Sequence, residues 1–357
     1  MRYEDITSID LELTSSCQAS CPQCARNIRG GLPNPLLPIR QLSLDDIKKI
    51  LTVEDLQHLK SITICGNYGD AIVAKDCLAI VNYFRQANNT IQITLHTNGS
   101  ALWKEWWVVL AETIGKYGDV KFGIDGLADT HSLYRVGTDF NKIIENAKAF
   151  IGAGGRAHWE FIVFEHNEHQ VEECRVLAAE YGFMSFTAKK TPRFFLSSIG
   201  KHQPQQPVYS RDAQIVHFIR EPKSEKYRNN VIERWRDLTP RQFDKHLEST
   251  VISCKAKQHK SVFIDFDGIV YPCCWMGAQP YLVSNLLDSN QFLETFVPAD
   301  WRTWYDGRRG LRTVLNDTDL FQRYENNWKL NSIEGGLLRM CARTCGAQDP
   351  FTEMFNQ

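Results

Sequence analysis

Ile6-Thr7-Ser8-Ile9-Asp10-Leu11-Glu12-Leu13-Thr14 runs directly into Ser15-Ser16-Cys17-Gln18-Ala19-Ser20-Cys21-Pro22-Gln23-Cys24. The first part alternates apolar and polar side chains, which predicts a strand over Ile6–Thr14. The second is a polar loop carrying C-x3-C-x2-C. Working outward, further strands are expected at Ser61–Gly66, Ile91–Thr97, Val120–Asp125, Ala157–Phe164 and Met184–Lys189, each short and rich in β-branched or aromatic residues. Between them, apolar residues at three- and four-residue spacing predict helices at Cys77–Asn88, Trp103–Gly115, Phe140–Ala153 and Glu168–Tyr181. Ser43 and Asp46 form a capping start for another helix, ending at Leu51. Strand–helix alternation implies parallel strands with right-handed crossovers. Six units are too few for a closed eight-fold barrel, so the expected fold class is α/β: an open, partial (β/α)6 TIM-like barrel with a small α+β unit after it. In such barrels ligands gather at the C-terminal ends of the strands.

The chain has 357 residues, 43% apolar, with a net charge of −1. These values exclude a disordered or collagen-like chain. No apolar run approaches the ~20 residues of a membrane span, and the acidic start Met1-Arg2-Tyr3-Glu4-Asp5 is not a secretory signal. Eleven cysteines without such a signal point to a reducing, cytoplasmic setting and to metal ligation rather than disulfides.

From Thr191 to His259 the alternation stops. Lys189–Lys260 holds 16 Lys and Arg against 7 Asp and Glu, a net of +9 that leaves −10 for the rest. This segment reads as a solvated linker or bridging helix, with a short helix at Val231–Leu238; a contact for an anionic substrate or partner is the second reading. No nucleic-acid motif accompanies the charge, so a nucleic-acid partner is not expected. Ser261–Phe266, Asp267-Gly268 and Ile269–Tyr271 then read as a β-hairpin opening a different unit. The expected organisation is a core at 1–190, a basic segment at 191–250 and a C-terminal unit at 251–357.

Three thiolates at the spacing of Cys17, Cys21 and Cys24 can wrap one face of a cubane [4Fe–4S] cluster and leave the fourth iron open. Zinc is the alternative, since C-x2-C is common at structural zinc sites, but no fourth ligand follows before His58. With Pro22 and Gln23-Cys24-Ala25-Arg26-Asn27 around it, this motif resembles the signature of the radical S-adenosylmethionine (SAM) enzymes. That resemblance implies a cluster whose open iron is chelated by SAM. It also implies reductive cleavage of SAM to methionine and a 5′-deoxyadenosyl radical that abstracts a substrate hydrogen. A one-electron donor such as flavodoxin or ferredoxin is implied with it.

Other strand-end loops fit the same family. Cys65-Gly66-Asn67-Tyr68-Gly69-Asp70-Ala71 falls where the family has Gly-Gly-Glu-Pro, with Gly69 and Asp70 matching in kind and Tyr68 and Ala71 departing. His96-Thr97-Asn98-Gly99-Ser100 resembles the turn beside the nucleoside. Gly123-Ile124-Asp125-Gly126 puts Asp125 at the ribose position. Arg135, in His131-Ser132-Leu133-Tyr134-Arg135, resembles a basic residue that pairs with the SAM carboxylate.

Cys254, the hairpin glycine Gly268, Cys273, and the pair Cys341 and Cys345 form a second constellation. It resembles the auxiliary-cluster part of SPASM and twitch domains, and four cysteines match one fully ligated [4Fe–4S] cluster; a four-thiolate zinc site is the alternative. Cys274 is left over, as an inert neighbour, a substitute ligand or a hydrogen-atom donor. The expected protein is a radical SAM oxidoreductase or modifying enzyme acting on a peptide or small molecule, oxidising or crosslinking it. The alternatives are a redox-neutral peptide epimerase using Cys274 and a non-catalytic zinc protein.

Overall fold

The computed structural model describes residues 1–196, 201–282 and 286–346. Six parallel strands form where the pattern places them: β1 (Ser8–Leu11), β2 (Ser61–Ile64), β3 (Gln92–Thr97), β4 (Gly118–Gly123), β5 (Arg156–Val163) and β6 (Ser185–Lys190). The helices between them are α1 (Leu44–Ile50), α2 (Val53–His58), α3 (Cys77–Ala87), α4 (Lys104–Ile114), α5 (His131–Tyr134), α6 (Phe140–Gly152) and α7 (Val171–Glu180). Ser43 accepts from the Asp46 backbone N–H while Asp46 accepts from that of Ser43, the reciprocal cap that starts α1. β1 is shorter than expected because the chain leaves the ladder early: Thr14 bridges to Gln41, and the Ser15 N–H donates to the Arg40 carbonyl.

Strand alternation sets the two faces of the sheet. On β5, Ala157, Trp159, Phe161 and Val163 are all fully buried in the core that also holds Phe84, Trp107 and Phe150 of the helices. The intervening His158, Glu160 and Ile162 point to the other side, into the barrel. Asp10, Thr63, His96 and Lys121 hold the same register on β1–β4. The barrel interior is therefore polar and its helix-facing shell apolar.

Two short ribbons follow, β7 (Phe195–Leu196) with β8 (Lys201–His202), and β9 (Gln205–Tyr209) with β10 (Ile215–Arg220). They are followed by α8 (Asn230–Trp235), where Val231–Leu238 was expected, and α9 (Pro240–Glu248). The reading of this basic segment as a solvated linker is corrected by its packing. Phe194, Phe195, Val208, Ile219, Trp235 and Phe243 are buried in a second core together with Ala19, Cys21, Tyr134 and Phe164. Its charges lie on the outer faces, while its sparser apolar residues close over the Cys17–Cys24 loop.

The hairpin of β11 (Ser261–Ile264) and β12 (Val270–Tyr271) forms around Gly268, whose φ of +82° suits glycine. It does not stand apart from the barrel: β11 pairs in parallel with β1, Ser8 opposite Ser261 through Leu11 opposite Ile264. The sheet order is β12-β11-β1-β2-β3-β4-β5-β6, so the barrel stays open between β12 and β6. The fold is a partial (β/α)6 barrel extended by strands from the C-terminal part of the chain. No helix among the described residues is long and apolar enough to cross a membrane.

Candidate functional site

The loop carrying Cys17, Cys21 and Cys24 leaves the C-terminal end of β1 and is fixed by its own backbone. Cys24 N–H donates to the Cys21 carbonyl at 3.0 Å, Ser20 N–H to that of Val136 at 2.8 Å, and Arg26 Nη2 to that of Cys17 at 2.6 Å. Cys17 Sγ accepts from the Ala19 N–H at 3.4 Å and from Asn98 Nδ2 at 3.5 Å. Burial raises the thiols of Cys17 and Cys21, that of Cys21 to about 11, and neighbouring Cys24 opposes ionisation of both. One buried and two half-buried thiols within electrostatic reach of one another suit a positively charged group that binds all three as thiolates.

The next loop is locked beneath them. A Cβ on Gly69 would lie 1.7 Å from the Thr14 carbonyl oxygen, so only glycine passes there. Glu12 Oε1 accepts from the N–H groups of Tyr68 and Gly69 at 2.7 and 3.0 Å. Asp70 Oδ2 accepts from Thr97 Oγ1 at 3.0 Å, Asn98 N at 2.7 Å and Asn98 Nδ2 at 2.6 Å. Asn98 Oδ1 accepts from Gln18 Nε2 at 2.6 Å. Asp70 therefore ties the second strand-end loop to the third, and Asn98 ties both to the cysteine loop. Gly69→Ala is expected to lower unfolding free energy by about 1–3 kcal/mol, the scale of overpacking, read from urea midpoints.

Asp125 and Arg135 pair with each other. Arg135 Nε donates to Asp125 Oδ2 at 2.5 Å, the Ile162 N–H donates to Oδ1 at 2.6 Å, and Asp125 is 0% exposed. Both Asp125 oxygens accept from the protein itself. Gly123 makes room for the guanidinium, since a Cβ there would sit 2.5 Å from Arg135 Nη2. Arg135 also lowers the Cys21 thiol against the effect of burial, and Asp125 and Cys21 in turn hold Arg135 protonated. Arg135 thus connects β4 to the cysteine loop.

Cys254, Cys273, Cys341 and Cys345 border one apolar cavity with Trp275, Tyr324, Trp328 and Met340. The thiols of Cys254 and Cys345 meet, a pairing that raises the first and lowers the second. The Ser253 N–H donates to the Cys345 carbonyl at 2.8 Å, joining the two ends of the site. Among the described residues no three His, Cys, Asp or Glu side chains converge on one ion. Four thiols around a shared cavity could together hold a metal group. Cys274 is not part of that lining; its thiol, raised well above its ordinary value by burial, lies near Cys65 and Asp10, which face the barrel interior.

The residues that the motifs did not single out are the inward ones. Lys189 Nζ lies 2.7 Å from Glu160 Oε2, Lys121 Nζ 3.9 Å from Oε1 and His96 Nδ1 3.7 Å from Oε2. Across the barrel, burial raises Asp10 to about 6 and Glu12 to about 8. Asp265, beside Glu12, is raised to about 7. Strand alternation was the available signal for all of these. For Glu12 the folded value lies above the ordinary 4.5, so its contribution to stability is full below pH 4.5 and is lost as pH rises through about 8. Between pH 5 and 8 the urea midpoint of the wild type should therefore fall relative to that of Glu12→Gln, which keeps the acceptor for Tyr68 and Gly69.

No family model matches the chain, and no curated protein matches it in sequence. Solved structures do match. SuiB of Streptococcus suis bound to S-adenosylmethionine aligns over 95% of this chain and 71% of its own, at 15% identity and a TM-score of 0.53. SuiB bound to precursor peptide SuiA aligns over 94% and 76%, at 16% and 0.51. anSMEcpe with bound AdoMet and the Cp18Cys peptide aligns over 95% and 89%, at 16% and 0.51. At these identities the likeness is one of fold. In fold the chain stands with SuiB and anSMEcpe, as the resemblance of its motifs to the radical SAM enzymes implied.

Proposed function

We propose that this chain is a radical SAM enzyme that modifies a peptide. The observation that carries this reading is the trio of Cys17, Cys21 and Cys24 on the loop after β1, hydrogen-bonded through Asn98 and Asp70 to the two neighbouring strand-end loops. These thiols would hold a [4Fe–4S] cluster, and Gly69, Asp70 and Asn98 would shape the edge on which SAM lies. When bound, the cluster supplies the electron that cleaves SAM into methionine and a 5′-deoxyadenosyl radical. The peptide assignment draws on the precursor peptide bound by SuiB and the peptide bound by anSMEcpe. A flavodoxin- or ferredoxin-type donor and a cytoplasmic setting belong to the same reading.

Cys254, Cys273, Cys341 and Cys345 would hold one auxiliary [4Fe–4S] cluster within the unit 251–357, of which 347–357 lie outside the described residues. Its proposed use is oxidation or crosslinking, in which the substrate radical gives up one electron and one proton. Redox-neutral epimerisation is the second reading, favoured by the position of Cys274 beside Cys65 and Asp10. Protein purified and reconstituted without oxygen should carry about eight irons and form 5′-deoxyadenosine with SAM and dithionite. A colourless zinc protein that forms none would end the proposal.

Arg135→Ala should weaken SAM binding by about 1.5–3 kcal/mol, the scale of a charge-assisted hydrogen bond. The loss arises either from a direct contact or from release of Asp125 and Cys21. Equilibrium dialysis of labelled SAM against protein of full iron content measures it, and unchanged affinity would remove Arg135 from the site.

A further inference from the structure

We infer that the barrel interior holds a carboxylate-binding site, built by Lys121 of β4 and Lys189 of β6 around Glu160 of β5, that selects a substrate bearing an acidic group. This inference rests on the proposed function only for calling the ligand a substrate; the site itself rests on geometry. Two ammonium groups share one carboxylate. Glu160 stays ionised against its burial because Lys189, and more weakly Lys121, stand beside it. Burial and the two lysines hold His96 down to about 4, so it is neutral at pH 7. One positive charge is left over on this wall.

The excess is accessible and unevenly shared. Lys189 makes the close contact, at 2.7 Å, whereas Lys121 stands 3.9 Å from Glu160 with its side chain 37% exposed. The next charged pair towards the cysteine loop, Asp125 with Arg135, neutralises itself. At the opposite end of β5, Asp119 accepts from Arg156 and meets His158, so those charges are also balanced. The carboxyls of the far wall, Asp10 on β1 and Glu12 just after it, are separated from Lys121 by β2 and β3. An anion entering the barrel is thus drawn to β4–β6. Lysine suits this task as a flexible point charge that can leave Glu160 for an incoming carboxylate.

The ligand chemistry is a carboxylate, free or as an acidic residue of a peptide. The reconstituted protein, with SAM present, is titrated calorimetrically with glutarate, with glutaramide, and with the blocked peptides acetyl-Gly-Glu-Gly-amide and acetyl-Gly-Gln-Gly-amide. Glutarate or the Glu peptide should bind at one site about ten-fold or more tighter than its amide counterpart, a gap typical of losing one charge-assisted contact. Preference for the Glu peptide over glutarate identifies a peptide ligand, and the reverse a small-molecule one. Lys121→Gln should weaken binding about ten-fold, whereas Glu160→Gln, which removes the internal competitor, should tighten it. These opposite directions separate recognition from misfolding. Equal affinity for acid and amide, no saturable binding, or binding untouched by Lys121→Gln would overturn the inference. The formation of 5′-deoxyadenosine by the same preparations reports separately on the proposed function, which stands if SAM is cleaved and the acid preference is absent.

Discussion

Cys21→Ala should abolish reductive SAM cleavage, by roughly a thousand-fold or more, equivalent to about 4 kcal/mol in activation free energy. Cys21 is the middle cysteine of the trio, packed in the second core with Ala19, Tyr134 and Phe164 and electrostatically coupled to Arg135. Its loss leaves two thiols where three are needed to wrap one face of a cubane. The fold should persist, because the loop lies outside the β1–β2 and β1–β11 ladders. The control is Cys77→Ala on α3, another buried cysteine, which faces the helix-side core rather than the loop. It should lose stability comparable to a small core truncation and keep its activity. Rapid-quench measurement of 5′-deoxyadenosine, alongside iron content and far-ultraviolet circular dichroism, compares the two variants. Cleavage at the wild-type rate by a Cys21→Ala protein lacking this cluster would refute the assignment.

What the sequence made legible is what depends on local pattern. Strand alternation and helical spacing place β1–β6 and α3, α4, α6 and α7 within one to three residues of their ends. The Ser43–Asp46 cap is likewise local chemistry. The pairing of β11 with β1 was not legible, because it joins residues some 250 positions apart and an Asp-Gly hairpin announces only its own two strands. The basic segment misled for a different reason. Charge density reports the outward faces, whereas Phe194, Val208, Trp235 and Phe243 are spread too thinly along the chain to read as a core, yet they seal the cysteine loop. At the site, the cysteines and strand-end turns were readable as motifs, but the partner of each side chain was not. Asp125 is a strand-end carboxylate in sequence; only the fold shows it turned towards Arg135.

Replacing Cys254 and Cys273 together by Ala should leave SAM cleavage measurable and abolish the modified product. The four thiols of that constellation enclose their own cavity, lined by Trp275, Tyr324, Trp328 and Met340, with Cys254 joined to Cys345 across it. If all four hold one [4Fe–4S] cluster, no iron is left open for a substrate, and their part would be to hold an electron acceptor. If the substrate radical must lose an electron, that loss depends on them and the first cleavage does not. Cys274 supplies the rival. Its thiol is held protonated by burial and stands with Cys65 and Asp10 on the barrel side, which suits donation of a hydrogen atom rather than ligation. Under the oxidation reading Cys274→Ala should change product yield little, and product made in D2O should carry no new carbon-bound deuterium. Loss of turnover in Cys274→Ala with both iron complements intact, together with one deuterium in the wild-type product, would replace oxidation by epimerisation. The two readings use different faces of adjacent residues: Cys273 borders the enclosed cavity, whereas Cys274 starts a short helix and lies towards the barrel interior. The Asn67 side chain donates to the Cys274 carbonyl at 2.8 Å and so couples that helix to the loop carrying Gly69. A Cys274→Ser variant preserves this backbone contact while withdrawing the weak S–H bond. It should therefore match wild type if oxidation operates and fail like Cys274→Ala if hydrogen donation does.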